Sequence, residues 1–203
     1  MKICEYHFRQ LYHHVIYIYG DALNQTLKKM NLLLPNGNGI LAYGYVDYEQ
    51  GLMFELLGLQ VGSDENVEYR IAPKQITCKF AKKNIEEWPA TLLPVQDPTV
   101  FLEKIQYIQD TYEQDPTIQQ LREFTDLDAS RHSEYPDDVM VFLLKEGKEP
   151  EAVWVRCEYF EEDKIYGTIL NEPLEDFGVH EKDSISFQLT QLEDEKLTCV
   201  HVI

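Results

Sequence analysis

The last third of the chain alternates short apolar segments with charged turns, and this pattern restricts the fold more than any other feature. Five such segments follow one another: VMVFLL, AVWVRCEYF, KIYGTIL, SISFQL and LTCVHVI. Short runs rich in β-branched and aromatic residues, bounded by charged turns, are typical of β-strands. We therefore predict a strand-rich unit from residue 131 onward, built as a single-sided antiparallel sheet or a small open barrel.

Alternation within these segments assigns side chains to the two faces of the predicted sheet. In the second segment, one face carries Val153, Val155, Cys157 and Tyr159, and the opposite face carries Trp154, Arg156 and Glu158. The fourth segment follows the same rule, with Ile185, Phe187 and Leu189 predicted to point inward.

The first part of the chain reads as helices and an antiparallel sheet. Between His7 and Tyr19 the apolar residues follow helical spacing, so a helix is predicted there, although VIYIY alone would fit a strand. Asp21 is predicted to cap a second helix that runs to Leu33 or Leu34. Two strands are expected around the turn DYEQG, and NVEYRIAPKQITCKF predicts a further strand pair.

The tripeptide DPT occurs twice and predicts the start of two more helices. Asp97 and Asp115 are each a predicted N-cap, followed by proline at the first helical position. Nothing else matches between the two segments, so the repeat is interpreted as common capping chemistry. The chain is thus predicted to be an α+β protein of antiparallel sheets and a few helices, with units at 1–130 and 131–203.

The acidic charge is concentrated in the second half. The 203 residues carry a net charge of −18; up to Asp97 there are 9 Lys and Arg against 11 Asp and Glu, and beyond it 9 against 25. A negative field repels nucleic-acid phosphates and anionic lipids and attracts basic partners. We therefore expect a basic protein partner and neither nucleic acid nor membrane. An acidic surface that only maintains solubility is the alternative.

The expected location is the cytoplasm. No apolar run approaches the roughly 18 residues that a membrane span needs, and the N-terminus lacks the order of a signal peptide. The cysteines, which form no C-x-x-C pair, are expected to be reduced core residues: Cys4, Cys78, Cys157 and Cys199. The common nucleotide, zinc-protease and hydrolase motifs are missing from the sequence, so no cofactor, metal or catalytic residue is assigned.

Two acidic segments are candidate cation sites. Asp137 and Asp138 are adjacent, and EYFEEDK forms an acidic turn. Neither has the alternating oxygen spacing of a calcium loop, so both are predicted to be solvated acidic turns.

The segment LNEPLEDFGVHEKD joins the third and fourth predicted strands and contains an Asn-Glu-Pro corner. Pro173 restricts Glu172 to extended conformations, and Asn171 tolerates a left-handed backbone. These properties predict that the corner ends a strand.

The same corner contributes to the candidate binding site. Trp154 and Arg156 share a strand face, and Asn171 and Glu172 lie at the end of the following strand. Arginine offers a forked donor and tryptophan a rigid platform, which together suit a carboxylate or a partner's loop. In the alternative interpretation, Trp154 packs beneath the two DPT helices, Arg156 pairs with a neighbouring carboxylate, and the corner is only a bend.

The C-terminal third resembles DUF2314, a family of bacterial domains of unknown function. The resemblance rests on YPDDVMVFL, on AVWVRCEYFEEDKIYGTILNEP and on the turn before SISFQL; its most specific part is WV followed by G-x-x-x-N-E-P. The chain departs from the family at Lys182, where the family tends to have glycine. The resemblance implies a domain attached to varied partners, sometimes suspected of immunity or accessory roles near toxins, and it implies no catalytic residues. No family resemblance is assigned to the first 130 residues.

The function expected from these observations is non-catalytic binding, as an acidic immunity-like or accessory module. An enzyme acting on a small metabolite, with a pocket near Arg156 and Asn171, is the alternative. A deep pocket with convergent polar groups would favour the enzyme, and a flat acidic or aromatic patch would favour the binding protein.

Overall fold

The computed structural model describes residues 1–32, 37–61, 68–72, 76–92, 98–113, 115–191 and 197–203. By their internal contacts the residues form two compact units, Met1–Gln114 and Asp115–Ile203. The domain division predicted at residue 130 stays a prediction. Residues 115–130, which include a helix, belong to the second of these units. The α+β class is confirmed.

The first unit is a six-stranded sheet with helices. Its elements in chain order are α1 (Phe8–Leu11), β1 (Val15–Tyr19), α2 (Asp21–Lys29), β2 (Gly39–Asp47), β3 (Gly51–Val61), β4 (Glu68–Ile71), β5 (Lys79–Ala81), α3 (Lys82–Ile85), β6 (Ala90–Leu92) and α4 (Leu102–Tyr112). Short 3-10 turns at Ile3–Glu5 and Pro98–Phe101 precede α1 and α4. The strand order is β4-β3-β2-β1-β6, and β5 also pairs with β3.

The helix predicted between His7 and Tyr19 is wrong for most of its length. Only Phe8–Leu11 is helical, and Val15–Tyr19 is a strand that pairs antiparallel with β2. β-branched residues in VIYIY favour a pleated surface, and the pairing with β2 decides between the two patterns. His13, between the two elements, has a left-handed backbone with φ of 61°.

The helix predicted at Asp21 is present and ends earlier than expected. It spans Asp21–Lys29, and Gly20, with φ of 107°, occupies the N-cap position. Leu33 and Leu34, where the helix was predicted to end, lie outside the described residues. The strands around DYEQG are confirmed as β2 and β3. The predicted pair β4 and β5 exists as two strands, but both bind β3 and not each other.

The sheet of the first unit carries apolar residues on both faces. One face packs against side chains of α1, α2 and α3, among them Phe8, Leu23 and Ile85. The opposite face packs against Phe101 and Ile108, so that α4 covers it. Both faces being covered explains why β2 and β3 are nearly continuous runs of buried residues.

The second unit is a closed five-stranded barrel with one helix. Its elements are α5 (Pro116–Glu123), a 3-10 turn (Thr125–Ser130), β7 (Asp138–Leu144), β8 (Glu151–Glu161), β9 (Lys164–Ile169), β10 (Ser184–Gln191) and β11 (Leu197–Val202). The strand order is β10-β11-β7-β8-β9. All neighbours are antiparallel except β11 and β7, which pair in parallel and close the barrel. The sheet is therefore closed, whereas the sequence predicted an open one.

The predicted assignment of side chains to the two faces of β8 is confirmed as far as Cys157, where a β-bulge follows. Val153, Val155 and Cys157 are buried. The register with β9 shifts between Cys157 and Tyr159, which leaves Tyr159 exposed instead of inward. At this position Gly167 allows a close approach of the strands, because a Cβ there would lie 2.2 Å from the carbonyl oxygen of Arg156.

The predicted cap of α5 is confirmed. Asp115 Oδ1 accepts hydrogen bonds from the backbone nitrogens of Thr117 and Ile118, at 2.8 and 3.4 Å. Asp97, the equivalent cap in the first copy of DPT, lies outside the described residues. In the described part of the chain, no helix combines the length and apolar character required to cross a bilayer.

Candidate functional site

The connection between β9 and β10, residues 170–183, is called the corner loop here, and it is tied to β8 at its start. The backbone nitrogen of Leu170 donates to the carbonyl oxygen of Trp154 at 2.8 Å. Asn171 Oδ1 accepts from the backbone nitrogen of Trp154 at 2.7 Å. The Asn-Glu-Pro corner therefore ends the strand, as predicted, and Asn171 continues the strand's hydrogen bonding through its side chain.

Glu172 holds the far end of the corner loop. Its Oε1 lies 2.7 Å from His180 Nδ1, and its Oε2 accepts from the backbone nitrogen of Glu181 at 2.9 Å. The hydrogen bond with His180 lowers the pKa of Glu172 and raises the pKa of His180. Asp183 Oδ2 also accepts from the backbone nitrogen of His180, at 2.8 Å. The two ends of the loop are thus joined across its opening.

Lys182 lies in a turn and is the position at which the sequence departs from the DUF2314 pattern that it resembles. Its backbone has φ of 76°, in the left-handed region that glycine adopts without strain. The backbone nitrogen of Lys182 donates to the carbonyl oxygen of Ile169 at 2.8 Å. The turn required by this hydrogen bond is therefore kept in the chain, with lysine in a position that favours glycine.

The middle of the corner loop presents an exposed leucine on a fixed backbone. Leu174 is 94% exposed. The carboxylate of Glu151, on β8, accepts from the backbone nitrogens of Leu174 and Glu175 at 2.5 and 3.1 Å. Phe177 is fully buried, and Lys145 Nζ donates to its carbonyl oxygen at 3.0 Å. Hydrogen bonds on both sides therefore hold Leu174 toward solvent.

The four predicted site residues contact different partners. Arg156 forms a forked pair with Asp138, in which Nε and Nη2 lie 2.7 and 3.1 Å from the two carboxylate oxygens. The ring of Trp154 meets that of His132 edge to face, with 4.9 Å between centroids. Asn171 contacts the backbone of Trp154, while Glu172 pairs with His180. Arg156 and Glu172 thus serve different partners, and a recess surrounded by all four stays a prediction.

Asp137 and Asp138 are not the solvated turn that the sequence predicted. They are 4% and 7% exposed, and each accepts a forked pair of hydrogen bonds from an arginine. Arg122, on α5, donates to Asp137 at 2.9 and 2.7 Å and is 1% exposed. The carboxylates are buried because arginines from other elements reach them, which spacing along the chain cannot reveal.

The sequence interpretation also missed the residues that shape the corner loop: Glu151, Leu174, Phe177 and His180. Leu174 and Phe177, among the acidic residues of the loop, were the available signal. Only the fold separates them, because it buries Phe177 and leaves Leu174 in solvent. Glu151 gave no signal, since it reaches the loop from the start of another strand.

Cysteine burial partly follows the prediction. Cys78, Cys157 and Cys199 are buried, whereas Cys4 is exposed, contrary to expectation. Burial raises the pKa of the Cys199 thiol to about 11 and also raises the pKa of Cys157, so both thiols stay protonated at neutral pH. Among the described residues, no group of three or more His, Cys, Asp or Glu could hold a metal ion.

Comparison with known proteins supports the resemblance of the C-terminal third. The family model DUF2314, described as an uncharacterized protein conserved in bacteria, matches residues 139–202. This segment contains β7 through β11 from the second residue of β7, and it includes the whole corner loop. Comparisons with curated proteins and with solved structures returned no significant match.

Proposed function

We propose that this chain is a non-catalytic binding protein of the bacterial cytoplasm, with an immunity-like or accessory role, and that the corner loop binds a basic protein partner. The observation that carries the proposal is the fixed exposure of Leu174. A single exposed apolar residue is ordinary on a protein surface. Here, however, the backbone nitrogens of Leu174 and Glu175 donate hydrogen bonds to the carboxylate of Glu151, which fixes the backbone that presents Leu174.

The rigidity of the corner loop favours binding. Ordering a loop during association opposes affinity, so a loop that is already ordered loses less entropy when a partner binds. Glu151 holds the middle of the loop, Glu172 holds its end, and Phe177 anchors it in the interior. Leu174 can therefore enter an apolar pocket on a partner without rearrangement of the loop.

The charge of the corner loop supports a basic partner. Residues 170–183 contain five carboxylates and one lysine. Glu175, Asp176 and Glu181 are exposed in the same loop. Lys148 and Lys182 lie 3.3 and 3.6 Å from Glu175 and Glu181, so carboxylates still outnumber lysines at this loop. Such a rim attracts lysine and arginine side chains and speeds association with a basic surface, and it repels nucleic acid and anionic lipid. The proposed partner surface is an apolar pocket bordered by basic residues.

The alternative of an enzyme near Arg156 and Asn171 has less support. The guanidinium of Arg156 already binds Asp138, and the amide oxygen of Asn171 already binds the backbone of Trp154. A substrate would have to displace both contacts.

Affinity capture from a bacterial lysate tests the proposal when matched leucine variants are compared. Leu174→Ala should lose the captured partner, whereas Leu102→Ala, at a leucine that is 52% exposed on α4, should retain it. The double variant Glu175→Gln with Glu181→Gln should bind more weakly and with less dependence on salt. Equal capture by both leucine variants, or capture that salt does not affect, would contradict the proposed role of the corner loop.

A further inference from the structure

In the first unit, α4 covers a polar row at the centre of the sheet. Tyr43 on β2, Glu55 on β3 and Lys79 on β5 are register partners across three adjacent strands, so their side chains lie on one face. Gln109 Nε2, on α4, donates to the hydroxyl of Tyr43 at 2.9 Å. The helix therefore binds the sheet through polar contacts as well as through apolar ones.

Glu55 has unusual surroundings for a buried carboxylate. It is 1% exposed, and neither of its oxygens has a hydrogen-bond partner among the described residues. The nearest cation is Lys104, on α4, whose Nζ lies 3.6 Å from Glu55 Oε1 and donates to the carbonyl oxygen of Ile76 at 2.8 Å. The hydroxyl of Tyr45 is likewise buried without a partner in the described part of the chain. Attraction between charges, without a hydrogen bond, thus links Glu55 to α4.

Other ionisable groups surround this pair from the sheet and from α4. Lys79 donates to the hydroxyl of Tyr112 and lies 4.2 Å from the centre of that ring. Cys78 is buried close enough to be affected by the charges of Glu55 and Lys104. At the end of α4, Glu113 Oε2 lies 2.7 Å from His13 Nε2. Several of the polar contacts between α4 and the sheet therefore involve a group that can change its charge.

We propose that α4 is a cover that opens locally, before the unit unfolds as a whole, and that the charge state of Glu55 sets how often it opens. Opening returns Glu55 and Lys104 to water, where each regains its hydration. The apolar contacts of Phe101 and Ile108 with the sheet oppose opening. The ionised pair therefore holds α4 to the sheet less firmly than the same pair with a protonated Glu55 would.

The direction of the pH dependence follows from where the protons are bound. Burial raises the pKa of Glu55, and Lys104 and Lys79 offset this only in part. In the open state Glu55 has its ordinary pKa, so the open state releases the proton first as the pH rises. Opening thus becomes more frequent between the ordinary and the raised pKa of Glu55, and the effect is constant above that window.

Lys104 acts in the opposite direction at higher pH. Burial lowers its pKa, although Glu55 raises it in part. Between the lowered pKa and the ordinary value of 10.5, the closed state gives up its proton first, so opening becomes less frequent as the pH rises. The two groups can therefore be distinguished by the pH range in which each acts.

Amide hydrogen exchange of the full chain, corrected for intrinsic exchange rates, tests the proposal. In the wild-type chain, the opening of α4 should increase with pH by a total of about tenfold for each unit by which burial raises the pKa of Glu55. The exchange of the β2 amides should not show this increase. Glu55→Gln should remove this dependence and protect α4 at neutral pH. Glu49→Gln, in the exposed turn between β2 and β3, should behave like wild type.

A second variant keeps the test decisive if Glu55→Gln does not fold. Lys104→Met removes the cation nearest to Glu55 among the described residues. Relative to wild type, it should therefore increase the opening of α4 more at neutral pH than at acidic pH, where a protonated Glu55 needs no cation. Exchange of α4 at the same rate as β2 in every variant would overturn the proposal. An unchanged pH profile in Glu55→Gln, or an equal effect of Lys104→Met at both pH values, would also overturn it.

Discussion

The two units each bury an ion pair, and the two pairs are built differently. Arg122 and Asp137 in the second unit have side chains 1% and 6% exposed, and two hydrogen bonds join them. Lys104 and Glu55 in the first unit have side chains 6% and 1% exposed, with no hydrogen bond to either carboxylate oxygen in the described residues. The two pairs are buried to the same degree, whereas the cation and the hydrogen bonding differ.

This difference teaches that burial alone does not tell what an ion pair contributes. A forked arginine satisfies both oxygens of a carboxylate and recovers much of the lost hydration. A lysine at 3.6 Å offers attraction without satisfying those oxygens. The first arrangement joins α5 to Asp137 by two hydrogen bonds. The second joins α4 to Glu55 on β3 by an ion pair that protonation of Glu55 can change.

The largest expected effect comes from removing one partner of the hydrogen-bonded pair. Arg122→Ala leaves Asp137 buried without its cation, and the free energy of unfolding should fall by about 3–5 kcal/mol. Urea denaturation at neutral pH measures it. The double variant Arg122→Met with Asp137→Leu, which removes both charges, should recover much of the loss. A loss below about 1 kcal/mol for Arg122→Ala would remove the contrast between the two pairs.

Replacing the pair that lacks hydrogen bonds should have the opposite sign. Glu55→Leu combined with Lys104→Met removes two desolvated charges and keeps a similar volume, so the free energy of unfolding should rise by about 1–4 kcal/mol. Thermal and urea denaturation check this result. Destabilisation by the double variant would mean that the Glu55 pair stabilises the fold after all.

Arg156 allows a sharper comparison, because its pair with Asp138 is forked but less buried. Arg156→Ala should lower the free energy of unfolding by about 2 kcal/mol, since it leaves Asp138 without that partner. Binding of the captured protein per folded molecule should not change. Leu174→Ala should show the reverse, with stability within about 0.5 kcal/mol of wild type and binding lost. Loss of binding by folded Arg156→Ala would instead support the predicted recess.

The smallest effect is expected at the exposed pair of Glu172 and His180. The hydrogen bond raises the pKa of His180 and lowers the pKa of Glu172. Its stabilising effect is therefore lost as the pH rises through the raised pKa of His180, and it is also lost as the pH falls through the lowered pKa of Glu172. An NMR titration of the wild-type chain should place the pKa of His180 above 6.5. In Glu172→Gln it should return toward that value, whereas Glu175→Gln should leave it unchanged. An identical titration in Glu172→Gln would exclude the pairing in solution.

Several features of the candidate site could be predicted from the sequence. The corner at Asn171 and Pro173 ends β9, because proline and asparagine impose local backbone preferences. The inward positions of Val153 and Val155 follow from alternation along a strand. The contact partner of each polar side chain could not be predicted from the sequence. Asp138 meets Arg156 across a strand pair, and Glu151 meets the corner loop from the start of β8.

Local chemistry alone thus determined the strand segments of the second unit, the Asp115 cap and the corner, because each depends on neighbours within a few residues. Tertiary structure decided the rest. It made VIYIY a strand by pairing it with β2, and it closed the barrel through the parallel pairing of β11 with β7. It also buried Glu55 and Asp137, whose ordinary acidic side chains show no difference in the sequence. Burial and pairing depend on residues far apart in the chain. For this reason the carboxylate of Asp137 forms two hydrogen bonds with Arg122, whereas the carboxylate of Glu55 is buried beneath α4 with a lysine at 3.6 Å.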